Sequence, residues 1–213
     1  MSHGGGVRNT AHGAARSNAI NTVRIIGGGQ RRQLIRFPDS LGLRPTPDRV
    51  RETLFNWLGQ ELDGLHCLDL FAGSGALGLE AASRGAERVV LVEAAAAVAH
   101  ALRDNIEHLH VGNRVELVRG DALKFAASRN EPTVQRFDVV FLDPPYRQGW
   151  LDKLQPVLPL LLQESGCLYV EAEYPVTALG DWQTVKQGKA GQVYYHLLQR
   201  ASLPTSETST PSC

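Results

Sequence analysis

The stretch "FDVVFLDPPYRQGW" carries an apolar run that ends on Asp143, Pro144, Pro145 and Tyr146. Asp143 and the carbonyl of Pro144 offer two acceptors at fixed spacing, because proline restricts its own φ and the backbone before it. Two acceptors suit one NH2 group. An exocyclic amine on a base is a weak nucleophile because its lone pair is drawn into the ring. Accepting its hydrogens pulls the nitrogen towards a pyramid and aims the lone pair outward. Tyr146 adds a face for stacking, worth about 1–3 kcal/mol per base. A sulfonium methyl opposite the amine would complete an in-line displacement without a metal, and positioning of that kind supplies on the order of 7–11 kcal/mol of a barrier. Taken alone, the same tetrapeptide also reads as a strand exit broken by prolines, with Tyr146 on the surface.

A second cluster lies earlier, in "CLDLFAGSGALGLEAASRG". Gly73, Gly75 and Gly78 have the GxGxxG spacing, which suits a dinucleotide or another nucleoside held at a helix amino terminus. Glu93, about 20 residues after Gly73, ends the following strand, where a carboxylate accepts from ribose hydroxyls. Asp69 separates the two ligands: it would crowd a pyrophosphate but suits the ammonium of an amino acid. Asp121 could accept from an adenine amino group, with the Ala122 amide donating beside it; equally, Asp121 could cap the next helix. These residues, with Phe71, Ala72, Ser74 and Leu77 of the same turn, outline a pocket for S-adenosylmethionine, which leaves as S-adenosylhomocysteine.

The elements that must position these residues alternate along the chain. "HCLDLF", "RVVLVE", "RVELVRG", "FDVVFLD" and "CLYVEAE" read as strands, and "GALGLEAASRG", "AAAAVAHALRDNIEHLH" and "WLDKLQPVLPLLLQE" as helices between them. Such alternation predicts an α/β Rossmann-like, doubly wound and mostly parallel sheet. "WQTVKQ" and "QVYYHLLQR", with no helix between them, predict a C-terminal antiparallel hairpin. Upstream, "TVRIIGG" and "RQLIRF" predict a β-hairpin around Gly27 to Gly29. "RPTPDRVRETLFNWL" then opens a helix with Thr46 as cap, Pro47 in the first helical position and a stripe of Val50, Leu54 and Leu58. The expected division is a disordered basic tail over 1–20, a hairpin arm over 21–45, the main domain over 46–200 and a Ser/Thr/Pro-rich disordered tail over 201–213.

The 213 residues are 43% hydrophobic with a formal net charge of +0. That average hides a split. Through Arg51 there are nine arginines and two aspartates, and the remainder holds 13 basic and 20 acidic residues. A basic arm on an acidic body suits a polyanionic partner, with Arg24, Arg31, Arg32, Arg36 and Arg49 as phosphate contacts, though charge alone equally describes a solvated basic tail. Cys67, Cys167 and Cys213 have no metal or disulfide spacing, and the first two read as buried thiols. None of the seven histidines marks a site. With neither a bilayer-length apolar stretch nor the apolar middle of a secretory signal, a cytoplasmic protein with no membrane contact is expected.

"RIIGG", "DSLGLRPTPDRVRETLFNWL", "CLDLFAGSGALGLEAASRGA", "FLDPPYRQG" and "AGQVYY" together resemble the class I methyltransferases that act on exocyclic amines. More narrowly, the chain is similar to the RsmD-type family, the bacterial 16S ribosomal RNA guanine-N2-methyltransferases, from about Val23 to Arg200. The resemblance implies methyl transfer to the 2-amino group of one guanine in small-subunit ribosomal RNA, within a complete or partly assembled subunit, by a monomer. It places Asp143 to Tyr146 at the catalytic position and the glycine turn with Glu93 at the cofactor. Arg44 and Thr46 would approach the methionine end of the cofactor or the target nucleotide. The chain departs from the family pattern in an arm without lysine and in the alanine run after Glu93. The same tetrapeptide also serves adenine 6-amino methylation of DNA, although the chain has no insertion to read a duplex groove. A nicotinamide-dependent oxidoreductase would share the glycine turn.

Overall fold

The computed structural model describes residues 20–39, 45–131 and 133–201. Arg44, Cys213 and the two tails expected to be disordered lie outside these residues, except that Ile20 already belongs to the first strand and Ala201 follows the last.

Five runs rich in Val and Leu form a parallel array: β3 (His66–Asp69), β4 (Arg88–Glu93), β5 (Val115–Arg119), β6 (Phe137–Leu142) and β7 (Leu162–Ala172). Three antiparallel strands extend it, β8 (Ala178–Leu179), β9 (Trp182–Ala190) and β10 (Val193–Arg200), and the sheet order is β5-β4-β3-β6-β7-β10-β9-β8. The C-terminal hairpin is therefore present, with β10 seated against β7. The strand order reverses between β3 and β6, which is where open α/β sheets hold ligands.

Both faces of the sheet are covered, and neighbouring residues go to opposite sides. Cys67, Val89, Val139 and Tyr169 join one apolar cluster, while Leu68, Val90, Val140 and Val170 join another. This period of two with two buried faces explains why the strands read as continuous apolar runs. The first cluster takes in the hairpin and the helices α1 (Asp48–Leu58), α2 (Gly78–Ser83) and α3 (Ala96–His108); the second takes in α4 (Ala122–Ala127), α5 (Trp150–Leu154) and α6 (Leu158–Leu161).

The stretch read as one helix from Trp150 breaks into α5, a 3-10 turn over Gln155–Val157 and α6, and β7 starts at Leu162. Pro156 and Pro159 lack the amides a continuous helix needs. Thr46 does not cap α1 either. Pro47 occupies the cap position with no side-chain bond, and the Thr46 hydroxyl goes elsewhere. Cys67 is buried, which raises its thiol pKa, whereas Cys167 is only half-buried.

The upstream hairpin, β1 (Ile20–Arg24) and β2 (Leu34–Pro38), forms its own two-stranded sheet. Its alternation puts Val23, Ile35 and Phe37 into the core and leaves Arg24 and Arg36 exposed. The loop is clamped by the buried carboxylate of Glu80, which accepts from the amides of Ile26 and Gly27, both at 2.8 Å, and pairs with Arg51 and Arg84. Gly28 is required twice over: its φ is +73°, and a Cβ there would lie 1.7 Å from the Ser83 carbonyl oxygen. Asn105 of α3 bonds both main-chain groups of Arg36, at 2.9 and 2.8 Å. No helix among the described residues is long and apolar enough to cross a membrane.

Candidate active site

A cavity of about 780 Å3 opens beyond the carboxyl ends of β3, β6 and β7. Its walls are Thr46 before α1; Asp69, Phe71, Ala72, Gly73, Ser74 and Leu77 of the glycine turn; Asp143, Pro144 and Tyr146 after β6; Glu171 of β7; and Ala190, Gln192 and Val193 at the turn between β9 and β10. The two clusters read from the sequence thus share one space. Pro145 is exposed and does not border it.

The glycine turn is fixed from within. Asp69 Oδ2 accepts from the Gly78 amide at 3.0 Å, so the first amide of α2 is already engaged rather than offered to an anion. Glu93 accepts from the amides of Gly73, at 3.0 Å, and Ala95, at 2.7 Å, tying β4 to the turn instead of lining the cavity. The three glycines have different reasons to lack a side chain. Gly73 has a positive φ of 50° at the cavity wall. A Cβ on Gly75 would meet Leu102 and Leu79 at 2.7 and 2.8 Å, and one on Gly78 would meet Leu91 at 2.2 Å. Gly75 lets the turn pack against α2 and α3, Gly78 lets α2 pack on the sheet, and neither borders the cavity. Asp121 caps α4, its Oδ1 accepting from the Lys124 amide at 3.0 Å, and Ala122 beside it is buried.

Electrostatically the cavity is acidic. Burial pushes the Asp69 carboxyl up to about 7, a rise held back by the Gly78 amide and added to by the charges of Glu93 and Glu171. Burial, then Glu171 and Asp69, raises Asp143 well above the usual carboxylate range. Glu171 is raised by burial and pulled back by the hydroxyls of Thr46 and Tyr169, which donate to it at 2.7 and 2.9 Å. The Tyr146 phenol is raised by burial and by Asp143. The residue is nevertheless 42% exposed and borders the cavity, where it was expected to stack on a base. Arg147, at φ 61°, anchors the loop by donating its amide to Glu173 at 2.6 Å.

Glu171 was not legible as a site residue, although an acid near the carboxyl end of a strand beside Asp143 was the available signal. The turn between β9 and β10 was also missed as a cavity wall. Thr46 borders the cavity and donates its hydroxyl to Glu171. Arg24, Arg31, Arg32, Arg36 and Arg49 are all exposed, and Arg31 borders a separate depression together with Glu52, Glu61 and Asp63.

No lysine or arginine lines the cavity among the described residues, while three carboxyls do. This donor set fits a ligand bearing a sulfonium and an ammonium, and is a poor fit for the pyrophosphate of a dinucleotide.

Fold and site together define a class I methyltransferase architecture. The profile of the family described as "Conserved hypothetical protein 95" matches residues 23–199. The chain belongs to that family, which is the RsmD-type family its motifs resemble. It is 43% identical over 190 residues to ribosomal RNA small subunit methyltransferase D of Escherichia coli strain K12, covering 87% of this chain and 93% of that protein. The solved structure of yhhF from Escherichia coli matches with a TM-score of 0.75 and 42% identity, covering 84% of this chain and 98% of that one. A solved RNA methyltransferase from Salinibacter ruber, in complex with S-adenosyl-L-homocysteine, shares the fold with a TM-score of 0.58 at 19% identity, covering 76% of this chain and 97% of that one.

Proposed function

We propose that this chain transfers a methyl group from S-adenosylmethionine to the 2-amino group of one guanine in 16S ribosomal RNA, acting as a cytoplasmic monomer on a complete or assembling small subunit. The observation that carries the reading is the single cation-free cavity bordered both by the Asp143-Pro144-Tyr146 exit and by the Asp69 glycine turn. The ribosomal RNA named for the Escherichia coli relative supports the substrate class.

Bound S-adenosylmethionine supplies an electrophilic methyl on sulfur. Asp69, Phe71 and Gly73 would hold it, Asp69 through its ammonium, with Glu93 steadying Gly73 from behind. Asp143 and the Pro144 carbonyl accept hydrogen bonds from the two N–H groups of the target amine and turn its lone pair towards the methyl, and the proton the amine gives up on methylation passes to Asp143. Tyr146 stacks on the base. Bringing a guanine to this cavity means taking it out of its stack, at a cost of a few kcal/mol in a duplex and less in a loop, so a loop target is favoured. The exposed arginines of the hairpin offset that cost through phosphate contacts.

The test is transfer of labelled methyl groups to small subunits lacking the modification, followed by digestion and mass spectrometry of the methylated nucleoside. N2-methylguanosine, lost in Asp143→Ala, is the expected product. N6-methyladenine in DNA would move the reading to the adenine alternative. Tight NAD binding with no response to S-adenosylhomocysteine would move it to the oxidoreductase.

A further inference from the structure

We propose that Glu171 reads the target base, accepting the N1–H of guanine and so selecting guanine over adenine at a cradle whose Asp143 and Pro144 acceptors would take either amine. This rests on the guanine reading above and names the residue that would enforce it.

Three observations converge on Glu171. It is only 4% exposed and borders the same cavity as Asp143. β6 and β7 run parallel with Leu142 opposite Val170, so the next residues, Asp143 and Glu171, leave neighbouring strands side by side, roughly 4.8 Å apart. The third is how its carboxylate is held. Thr46 Oγ1 and Tyr169 OH both donate to Oε1, at 2.7 and 2.9 Å, while Oε2 accepts from nothing among the described residues and is not sealed from the cavity. The two hydroxyls fix the side chain and leave one acceptor oxygen to the cavity. A nearly buried carboxylate oxygen without a donor is unfavourable, so an N–H of the ligand is its natural complement.

On guanine, the donor nearest the 2-amino group on the same edge is N1–H. With the amine hydrogens directed to Asp143 and Pro144, N1–H falls to the neighbouring strand. Adenine carries its amine beside an N1 that has a lone pair and no hydrogen. Against the ionised Glu171 carboxylate that lone pair is repelled. The exit motif therefore serves any exocyclic amine, and the adjacent strand supplies the discrimination.

The decisive comparison uses small subunits reconstituted with 16S RNA that carries either guanosine or 2-aminopurine riboside at the methylated position. The second keeps the 2-amino group but lacks N1–H. Wild-type protein is expected to methylate the 2-aminopurine substrate with kcat/KM lower by roughly 10- to 100-fold, the loss of one charged hydrogen bond. In Glu171→Gln the amide oxygen takes over both hydroxyls and the NH2 faces the cavity. Guanine methylation should then fall, and the gap between the substrates should close to within about threefold. A penalty due to the missing O6 of 2-aminopurine would persist in the variant. The proposal is overturned if the wild type methylates both substrates within about threefold, a comparison that needs no variant to fold. It is also overturned if Glu171→Gln, shown to be folded by retained S-adenosylhomocysteine binding, slows both alike and keeps the gap. No transfer to either substrate by the wild type would instead sink the guanine reading itself.

Discussion

Three carboxyls, Asp69, Asp143 and Glu171, face one cavity, and each holds its proton more tightly than an exposed acid would. The consequence for stability has a definite sign. A carboxyl raised from 3.8 to about 7, as Asp69 is, stabilises the fold most when both folded and unfolded chains are protonated. That contribution is lost as pH rises through about 7, where the folded protein must ionise a buried group. Asp143 and Glu171 act in the same direction. The ligand-free protein should therefore resist urea better at pH 5 than at pH 8, and Asp69→Asn should remove part of that difference; an unchanged difference would count against the assignment. A bound cation reverses the preference, so S-adenosylmethionine binding near pH 7 should release protons, measured by calorimetry in buffers of different ionisation enthalpy. In the proposed reading Asp143 bears on rate more than on affinity. Asp143→Asn puts an NH2 in place of one amine acceptor, and turnover should fall roughly 100- to 1,000-fold, as when one preorganised polar contact to a reacting group is removed. Calorimetry should show S-adenosylhomocysteine affinity within a few-fold of wild type.

Between elements, the strongest tie is the Glu80 clamp. Its carboxylate joins α2 to the loop of the first hairpin and, through Arg51, to α1; Arg51 also donates to the carbonyls of Thr46 and Arg24. Glu80→Ala leaves a fully buried guanidinium with Asp48 as its remaining acid partner. A loss of about 3–5 kcal/mol is expected in denaturant titration, with early hydrogen exchange at the Ile26 and Gly27 amides marking release of the hairpin. None of this was legible in the sequence, because Glu80 and Arg51 meet only once α1 and α2 pack. The strands were legible, since β3 to β6 are short apolar runs ending in acids, turns or glycines. The final hairpin was legible too, because nothing helical separates β9 from β10. Local signals failed where tertiary partners competed for the same group. Thr46 has the composition of a cap but finds Glu171, and "CLYVEAE" conceals a site acid because only the register of β7 against β6 places Glu171 beside Asp143. Asp121, with equal claims to cap and ligand, is held by the local amide.

Across the whole molecule, charge separates two tasks. The net charge of +0 is the sum of an arginine-rich beginning and an acidic remainder, and Arg51 is buried and paired with Asp48 and with Glu80, which it shares with Arg84. What faces solvent is a set of hairpin and α1 arginines, Arg24, Arg31, Arg32, Arg36 and Arg49. The cavity, lined by carboxyls, disfavours phosphate and suits a neutral base, while the arginines suit a phosphate backbone. In the proposed reading, the RNA places phosphates on these arginines while one base enters the cavity. RNA affinity should then fall steeply with salt, and each arginine that contacts a phosphate should lower the slope of log K against log salt by about 0.7–0.9 when replaced by alanine. Arg32→Ala and Arg36→Ala are the informative variants, because their side chains are exposed and lie outside the Glu80 clamp. Filter binding of small-subunit RNA between low and physiological salt reads the slope directly. A wild-type slope near zero, or slopes unchanged in both variants, would remove the hairpin from RNA binding and leave the site to find its base without electrostatic guidance.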